Sequence, residues 1–451
     1  MSKTLNMTQG SALKLLFRFA LPLMFGNIFQ QLYTVVDTAI VGQGVGMDAL
    51  AALGGVDWLN WMMLGIVQGF TQGFSVRIAQ KFGEGDQKGL QTFMGQSAVL
   101  AALLAVICLV LSQLCLPGCI RLLRVPEDLA PISTLYSRII MAGLPAVMFY
   151  NYCSSVLRAV GDSKTPLAAM AVASVVNIVL DLLAVFWLHW GVAGAAAATI
   201  VSQILAGLIC LRKILRTPQL RFAKDDLQPQ RAAMGNLLGI GIPAAAKNLV
   251  IALGGMAVTT VVNGFSTPFI AGFTASNKLY GLLEIAAISY GYAITTYVGQ
   301  NFGAMRFDRI KSGMRAATGL ALATAVVIAA MMFLFGRPIT LLFISAEDPA
   351  LVALAGETAY RYLCVMASCL PVLYMLYLLL SALQGLGDTV RPMIAGIVEL
   401  VLRVCIALIV GYTGYANGIF VAEVAAWVGS AGYLLYHYLK KIRRLSGFSK
   451  T

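Results

Sequence analysis

The sequence predicts an all-α polytopic membrane protein of twelve transmembrane helices in two parallel, pseudo-symmetric six-helix lobes. Three observations carry this expectation. Of the 451 residues, 59% are hydrophobic and only 11% charged, with a mean hydropathy of +0.82. A soluble chain carries about 25% charged residues, so the solvent of this one must be lipid. Twelve stretches reach the roughly 20 apolar residues that a bilayer crossing needs: 15–43, 50–76, 92–118, 132–157, 166–188, 191–211, 236–263, 270–299, 316–343, 356–385, 392–412 and 415–438. The last six repeat the first six.

The repeat is legible residue by residue. RFALPLMFGN at 18–27 returns as GIGIPAAAKN at 239–248, matching Pro22 to Pro243 and Asn27 to Asn248. AQKFGEGD at 79–86 returns as GQNFGAMR at 299–306, and PED at 126–128 as AED at 346–348. The longest copy pairs 144–166 with 370–392. In both, sixteen residues separate a proline (Pro145, Pro371) from the glycine of a Gly-Asp step, and a proline follows the aspartate by four (Pro166, Pro392). Six spans separate equivalent elements. Six is even, so the two halves share one orientation in the membrane. The expected division is 1–211 for the first lobe, 212–235 for a basic, proline-containing linker on the cytoplasmic leaflet, and 236–451 for the second.

The GD-x-x-x-P steps read as helix punctuation: glycine to stop one helix, aspartate to cap the next, proline in its first turn. Pro22, Pro145, Pro243 and Pro371 fall inside spans, where each removes one backbone bond and permits a kink. That is tolerable where protein or a water-filled cavity covers the loosened backbone.

A net charge of +13 does not indicate nucleic acid, because the charges follow topology. With the N-terminus in the cytoplasm, 24 Lys and Arg fall in cytoplasmic loops and tails, against Arg121, Arg124 and Arg337 on the other side. Basic residues stay where short loops are not translocated. Both termini are therefore expected in the cytoplasm of a multi-pass inner-membrane protein. The N-terminal apolar run continues too far for a cleaved signal peptide. Eight scattered Cys without a CxxC pair read as small buried hydrophobes. Two His, His189 and His437, with no nucleophile–base or metal constellation, argue against an enzyme, and no cofactor is expected.

The informative residues are acids at membrane depth. NIVLD at 177–181 sets Asn177 and Asp181 on one helix face, and YTVVD does the same for Tyr33 and Asp37. Asp37 and Asp181 come late in outward-running spans, and Thr199 early in an inward-running one, so their depths agree. Asn151 is less clearly placed. No Lys or Arg of the first six spans shares that depth. Intramembrane carboxylates cost several kcal/mol and default to function, although each Asp also admits a local structural role. Together they can hold a proton, or sodium with Asn, Thr and Tyr oxygens as neutral ligands. In the second half lie Lys247, Lys278, Glu284, Glu399, Arg403 and Glu423. Glu399 and Arg403 form an i,i+4 pair. Lys247 and Lys278 stand across from Glu284 or Glu399, lining a cavity or neutralising acids.

The stretch ALPLMFGNIFQQLYTVVDTAIVGQGVGMDALAALG at 20–54, the QKFGEGD and GQNFGA loops, and the 6+6 repeat resemble the multidrug and toxic compound extrusion (MATE) transporters, in their DinF-like branch, over about 15–438. The resemblance implies a cation-coupled antiporter in which H⁺ or Na⁺ entry drives export of amphipathic organic compounds by alternating access of two lobes. It implies a cation site of Asp37, Asn177, Asp181, Asn151, Thr199 and Tyr33, with possible sodium at Asp37, Asn177 and Asp181. It also places Tyr136 at the cavity, with Lys247, Lys278 and Glu284 as further candidates. The NorM-like branch uses acids in spans seven and ten. Here span seven has none, and Glu357 lies only at the start of span ten. Small organic substrates and membrane lipid are the expected partners, and a monomer the expected state. The rival readings are a lipid-linked sugar flippase of the same superfamily and an uncoupled channel or receptor-like protein.

Overall fold

A computed structural model describes residues 5–123, 125–341, 344 and 349–448. Arg124 and the AED copy at 346–348 lie outside the described residues. Among those described there are helices and no strands. The helices are α1 (Ala12–Gly44), α2 (Met47–Glu84), α3 (Gln87–Leu122), α4 (Ala130–Ala142), α5 (Leu144–Ala159), α6 (Lys164–Leu182), α7 (Gly191–Arg216), α8 (Arg231–Val262), α9 (Thr267–Leu283), α10 (Ile285–Gly303), α11 (Phe307–Leu341), α12 (Pro349–Gly385), α13 (Val390–Thr413) and α14 (Phe420–Phe448).

Ten helices among the described residues are long and apolar enough to cross a membrane, and α4 with α5 makes one more span bent by 42°. The eighth expected span is α9 and α10, which meet at Glu284. The described part of every expected stretch is thus mainly helical. The prolines act unequally. Pro22, Pro243 and Pro371 sit inside unbroken helices, whereas Pro145 opens α5 just past a break at Gly143. At Gly143 the Ile200 side chain of α7 occupies the space a side chain would need, and the corresponding residue of the second half is Cys369. Of the cysteines, Cys153 and Cys210 are buried, but Cys115 and Cys405 are exposed, so the expectation of small core residues holds for only part of the set.

The Gly-Asp steps are caps, as the spacing implies. Gly161 and Gly387 take left-handed φ of 86° and 78°, a conformation that costs glycine nothing. Asp162 accepts from the Lys164 and Thr165 amides and the Thr165 hydroxyl. Asp388 accepts from the Arg391 amide and side chain and from Lys441.

Two compact units result. One comprises residues up to Thr8 and Leu21–Asn248; the other comprises Gln9–Ala20 and Leu249 onward. The boundaries fall inside α1 and α8, not at the linker. In the first unit, Gly65, Gly69 and Gly73 of α2 form a stripe against the start of α8. The Ala245 backbone lies against Gly69 and Gly241 against Gly73, and the Asn248 amide donates to the Gly65 carbonyl at 2.7 Å. Small residues let helix backbones approach this closely. In the second unit, Phe269, Phe420, Tyr362 and Phe273 stack in sequence with centroids 5.7, 4.8 and 4.8 Å apart, a geometry worth more than its buried area alone.

The connection 217–230, expected to rest on the leaflet, is tied to the start of α3. Gln87 and Gln91 donate to the Gln219 and Arg221 carbonyls. Gln96 donates to the Asp226 and Gln228 carbonyls and accepts from the Gln230 amide. Asp226, 2% exposed, accepts from Lys88 at 3.0 Å, Thr92 at 3.3 Å and the Ala223 amide at 2.9 Å. Burial opposes its charge, but the Ala223 N–H and Lys88 outweigh it and hold the carboxyl below the usual Asp range. A depressed folded value stabilises above the unfolded pKa, and that stability is lost as pH falls through the folded one. Asp226→Asn is expected to loosen this clamp by about 1–3 kcal/mol. Tryptic cleavage after Arg221 or Lys224 checks this: it is faster in the variant at neutral pH, and wild type approaches the variant on acidification.

Candidate functional site

The site is built at one end of the first unit. α6 does not stop at Leu182 but widens into a π-helical turn, Leu183–Trp187, one turn beyond Asp181. Such turns recur at functional positions. Two glycines admit it. The Val185 and Phe186 side chains fill the space beside Gly44 of α1, and Ala184 that beside Gly194 of α7. Ile40, Val41, Ala49, Val185, Val192 and Ala195 form the resulting core, with Val36, Ile178 and Tyr136 packed against it. Asp37 lies between Val36 and Ile40, and Asp181 lies three residues beyond Ile178, so packing this core brings the two acids together.

The carboxyl groups of Asp37 and Asp181 are neighbours, each within electrostatic reach of the other. Asp181 is fully buried, Asn177 is 1% exposed, and Asp37 is half-buried. Both Asp181 oxygens, Asp37 Oδ1 and both polar atoms of the Asn177 amide lack a hydrogen-bond partner among the described residues. Buried polar groups are almost always paired, so five orphaned atoms in one place mark a site made for something else. Two ionised carboxylates so placed repel strongly in a low dielectric. A shared proton, or a monovalent cation between them, would remove the repulsion, and carboxyl groups that interact this strongly titrate as a unit.

The other predicted members divide. Tyr33 lies beside Gln30 and Gln203, with Asp37 and Asp181 in electrostatic reach. Tyr136 has Asp37, Asp57, Tyr33 and Asp181 around it. Thr199 turns its hydroxyl to the Ala195 carbonyl of its own helix at 3.2 Å. Asn151 donates to the Val147 carbonyl at 2.9 Å, and that is its only hydrogen bond among the described residues. Its chain neighbour Tyr150 lies within electrostatic reach of Tyr33. Gln203 and Asp57 were missed. Gln203 follows Thr199 by one helical turn, and Asp57 is a carboxylate ten residues into α2; both signals were present in the sequence. No group of three or more His, Cys, Asp or Glu among the described residues fits a metal ion.

In the second unit, Arg403 does not serve Glu399 alone. Its guanidinium lies 2.7 Å from Glu423 and 3.4 Å from Glu399. The expected i,i+4 pair is thus one arm of a bridge, because α14 packs on α13 and brings a second carboxylate. Glu284, at the α9–α10 break, accepts from the Tyr377 hydroxyl at 3.3 Å. Lys278 is exposed and makes no ion pair among the described residues, so it does not stand against Glu284 or Glu399. Lys247 is buried, 7% exposed.

A model of the MatE family matches residues 22–183 and 243–409. The chain belongs to the MatE family. The two matched stretches begin at Pro22 and Pro243, the first prolines of the internal repeat. The chain is 30% identical over 435 residues to the probable multidrug resistance protein YpnP of Bacillus subtilis strain 168, covering 95% of this chain and 92% of that protein. It is 25% identical over 449 residues to the probable multidrug resistance protein NorM of Thermotoga maritima, covering 96% and 92%. A crystal structure of MATE in the bent conformation superposes with a TM-score of 0.90 at 22% identity over the full length of both chains, which establishes the same fold. MatE membership makes the chain a multi-pass membrane transporter and not an enzyme.

Proposed function

We propose that this MatE protein is an antiporter that exports amphipathic organic compounds in exchange for H⁺ or Na⁺, by alternating access, from an inner membrane with both termini in the cytoplasm. The observation that carries the coupling is the Asp37–Asp181 pair, with no protein donor on either Asp181 oxygen. A cation bound there neutralises the repulsion and favours the conformation in which the carboxylates meet. Its absence favours one in which they separate and hydrate. A ligand shifts such an equilibrium only by its differential affinity for the two states, and this pair provides one. The names of the relatives support organic substrates: YpnP and the Thermotoga NorM are both called probable multidrug resistance proteins.

Uptake of a cationic dye into everted vesicles, with the Na⁺ and pH gradients imposed separately, is the test. Transport driven by one or both gradients is the expected result. Equal transport with neither gradient sinks the proposal and favours an uncoupled pathway. Lys247→Ala is expected to keep the gradient dependence, because its charge is not among the groups around the carboxylate pair, while shifting preference among substrates. The same vesicles check it: loss of coupling in this variant would move part of the cation site onto α8.

A further inference from the structure

A second feature of the first unit lies away from the carboxylate pair. α3 and α4 border a shallow, open surface groove of about 580 Å³ lined by Leu109, Val110, Gln113, Leu114, Arg138, Ile139 and Ala142. Five of the seven side chains are apolar and none is acidic. Arg138 is exposed, and its guanidinium has no ion-pair or hydrogen-bond partner among the described residues. Gln113 donates to the Arg138 carbonyl at 2.8 Å, which holds the two polar residues at one level.

That level can be placed in the bilayer. α3 has 36 residues and rises about 54 Å, against a hydrocarbon thickness of about 30 Å. Shared between its ends, the excess leaves about 12 Å of overhang. Gln113 stands nine residues before the end of α3, about 13 Å, and so lies at the boundary between hydrocarbon and headgroups. Leu109 and Val110 precede it on α3, and Ile139 and Ala142 follow Arg138 on the oppositely directed α4. Both pairs therefore continue toward the membrane centre. The result is an open apolar groove along which a chain can lie, with a guanidinium, unpaired among the described residues, and its fork of N–H donors at phosphate height.

We propose that this groove binds one anionic phospholipid of the leaflet opposite the α2–α3 turn, with a phosphate oxygen on Arg138 and an acyl chain along Leu109, Val110, Ile139 and Ala142. Guanidinium–phosphate pairing is charge-assisted and geometrically matched. The absence of an acidic lining residue leaves a zwitterionic lipid's ammonium without a partner, so a phosphatidylglycerol-type headgroup is favoured over phosphatidylethanolamine. Two acyl-matched probes and a chain-only one separate the contributions.

Native mass spectrometry of the intact, delipidated protein is run with phosphatidylglycerol, phosphatidylethanolamine and diacylglycerol of identical chains. Wild type is expected to retain phosphatidylglycerol preferentially. Arg138→Gln should weaken it about fivefold, the worth of one cation near anionic lipid, and abolish the preference, while Arg138→Lys keeps part of it. Ala142→Phe, which fills the groove and leaves the arginine in place, should lower retention of all three. Equal retention of the three lipids by wild type, a preference unchanged in Arg138→Gln, or retention unchanged in Ala142→Phe would overturn the proposal.

Discussion

Asp37→Asn is expected to abolish gradient-driven export, and adding Asp181→Asn to make it barely worse. The amide keeps the shape of the carboxyl group but cannot release and rebind a proton, and it gives sodium one oxygen without charge. Removing a charged hydrogen-bond partner costs about 1.5–3 kcal/mol, or roughly 10- to 100-fold in affinity for the coupling cation. The two side chains are electrostatic neighbours, so neutralising either one already removes the repulsion that distinguishes the filled site from the empty one. Residues so coupled are where additivity fails. Here the second substitution has little left to remove. A double-mutant cycle on dye export in everted vesicles, with insertion checked by the amount of folded protein in the membrane, gives the answer. Two independent losses that add in the double variant would show that the carboxylates do not act as one switch.

The parts of the fold that were legible depend on period and composition. Span positions follow from apolar run length, and the repeat of prolines and Gly-Asp steps gives the two-lobed plan without any tertiary information. The carboxylate pair was legible for a related reason. An acid inside an apolar run is conspicuous, and i,i+4 spacing fixes its helical neighbour, as with Asn177 and Asp181. What the sequence hid depends on close approach between segments far apart in the chain. The packing of Ile200 of α7 against Gly143 is such a contact, between residues far apart in the chain. Glu423 was invisible as a partner of Arg403 because α13 and α14 meet only in the fold. Gln203 lay one turn from a residue already singled out, and was overlooked because an uncharged amide in a long helix is easily read as surface.

Gly69→Leu is expected to prevent stable folding of the first unit, and it rests on a pattern that was present in the sequence but unread. GIVQGFTQG at 65–73 repeats glycine every fourth residue, and on a helix such residues line one face. Ala244 and Ala245 of α8 lie where a Gly69 side chain would begin, with the Ala244 carbonyl and the Ala245 amide both 2.7 Å from that position; Gly241 crowds Gly73 at 2.8 Å. The obstacle is backbone, which cannot rotate aside as a side chain can. Overpacking of an interior typically costs about 1–3 kcal/mol, and here α8 must separate from α2, giving up the Asn248–Gly65 hydrogen bond as well. The stripe also explains why the first unit extends to Asn248 and past the linker: small residues bind the start of α8 to α2 more closely than its own later turns constrain it. Thermal unfolding in detergent, followed by size-exclusion recovery after heating, separates this from a general intolerance of α2. Gly54→Ala and Gly55→Ala meet nothing within 4 Å and should melt with wild type, or slightly above it, since alanine favours helix over glycine by up to about 1 kcal/mol. Gly69→Leu should lose most recoverable protein at temperatures wild type survives, with Gly69→Ala between them. A Gly69→Leu protein as stable as wild type would mean that α8 does not need this contact.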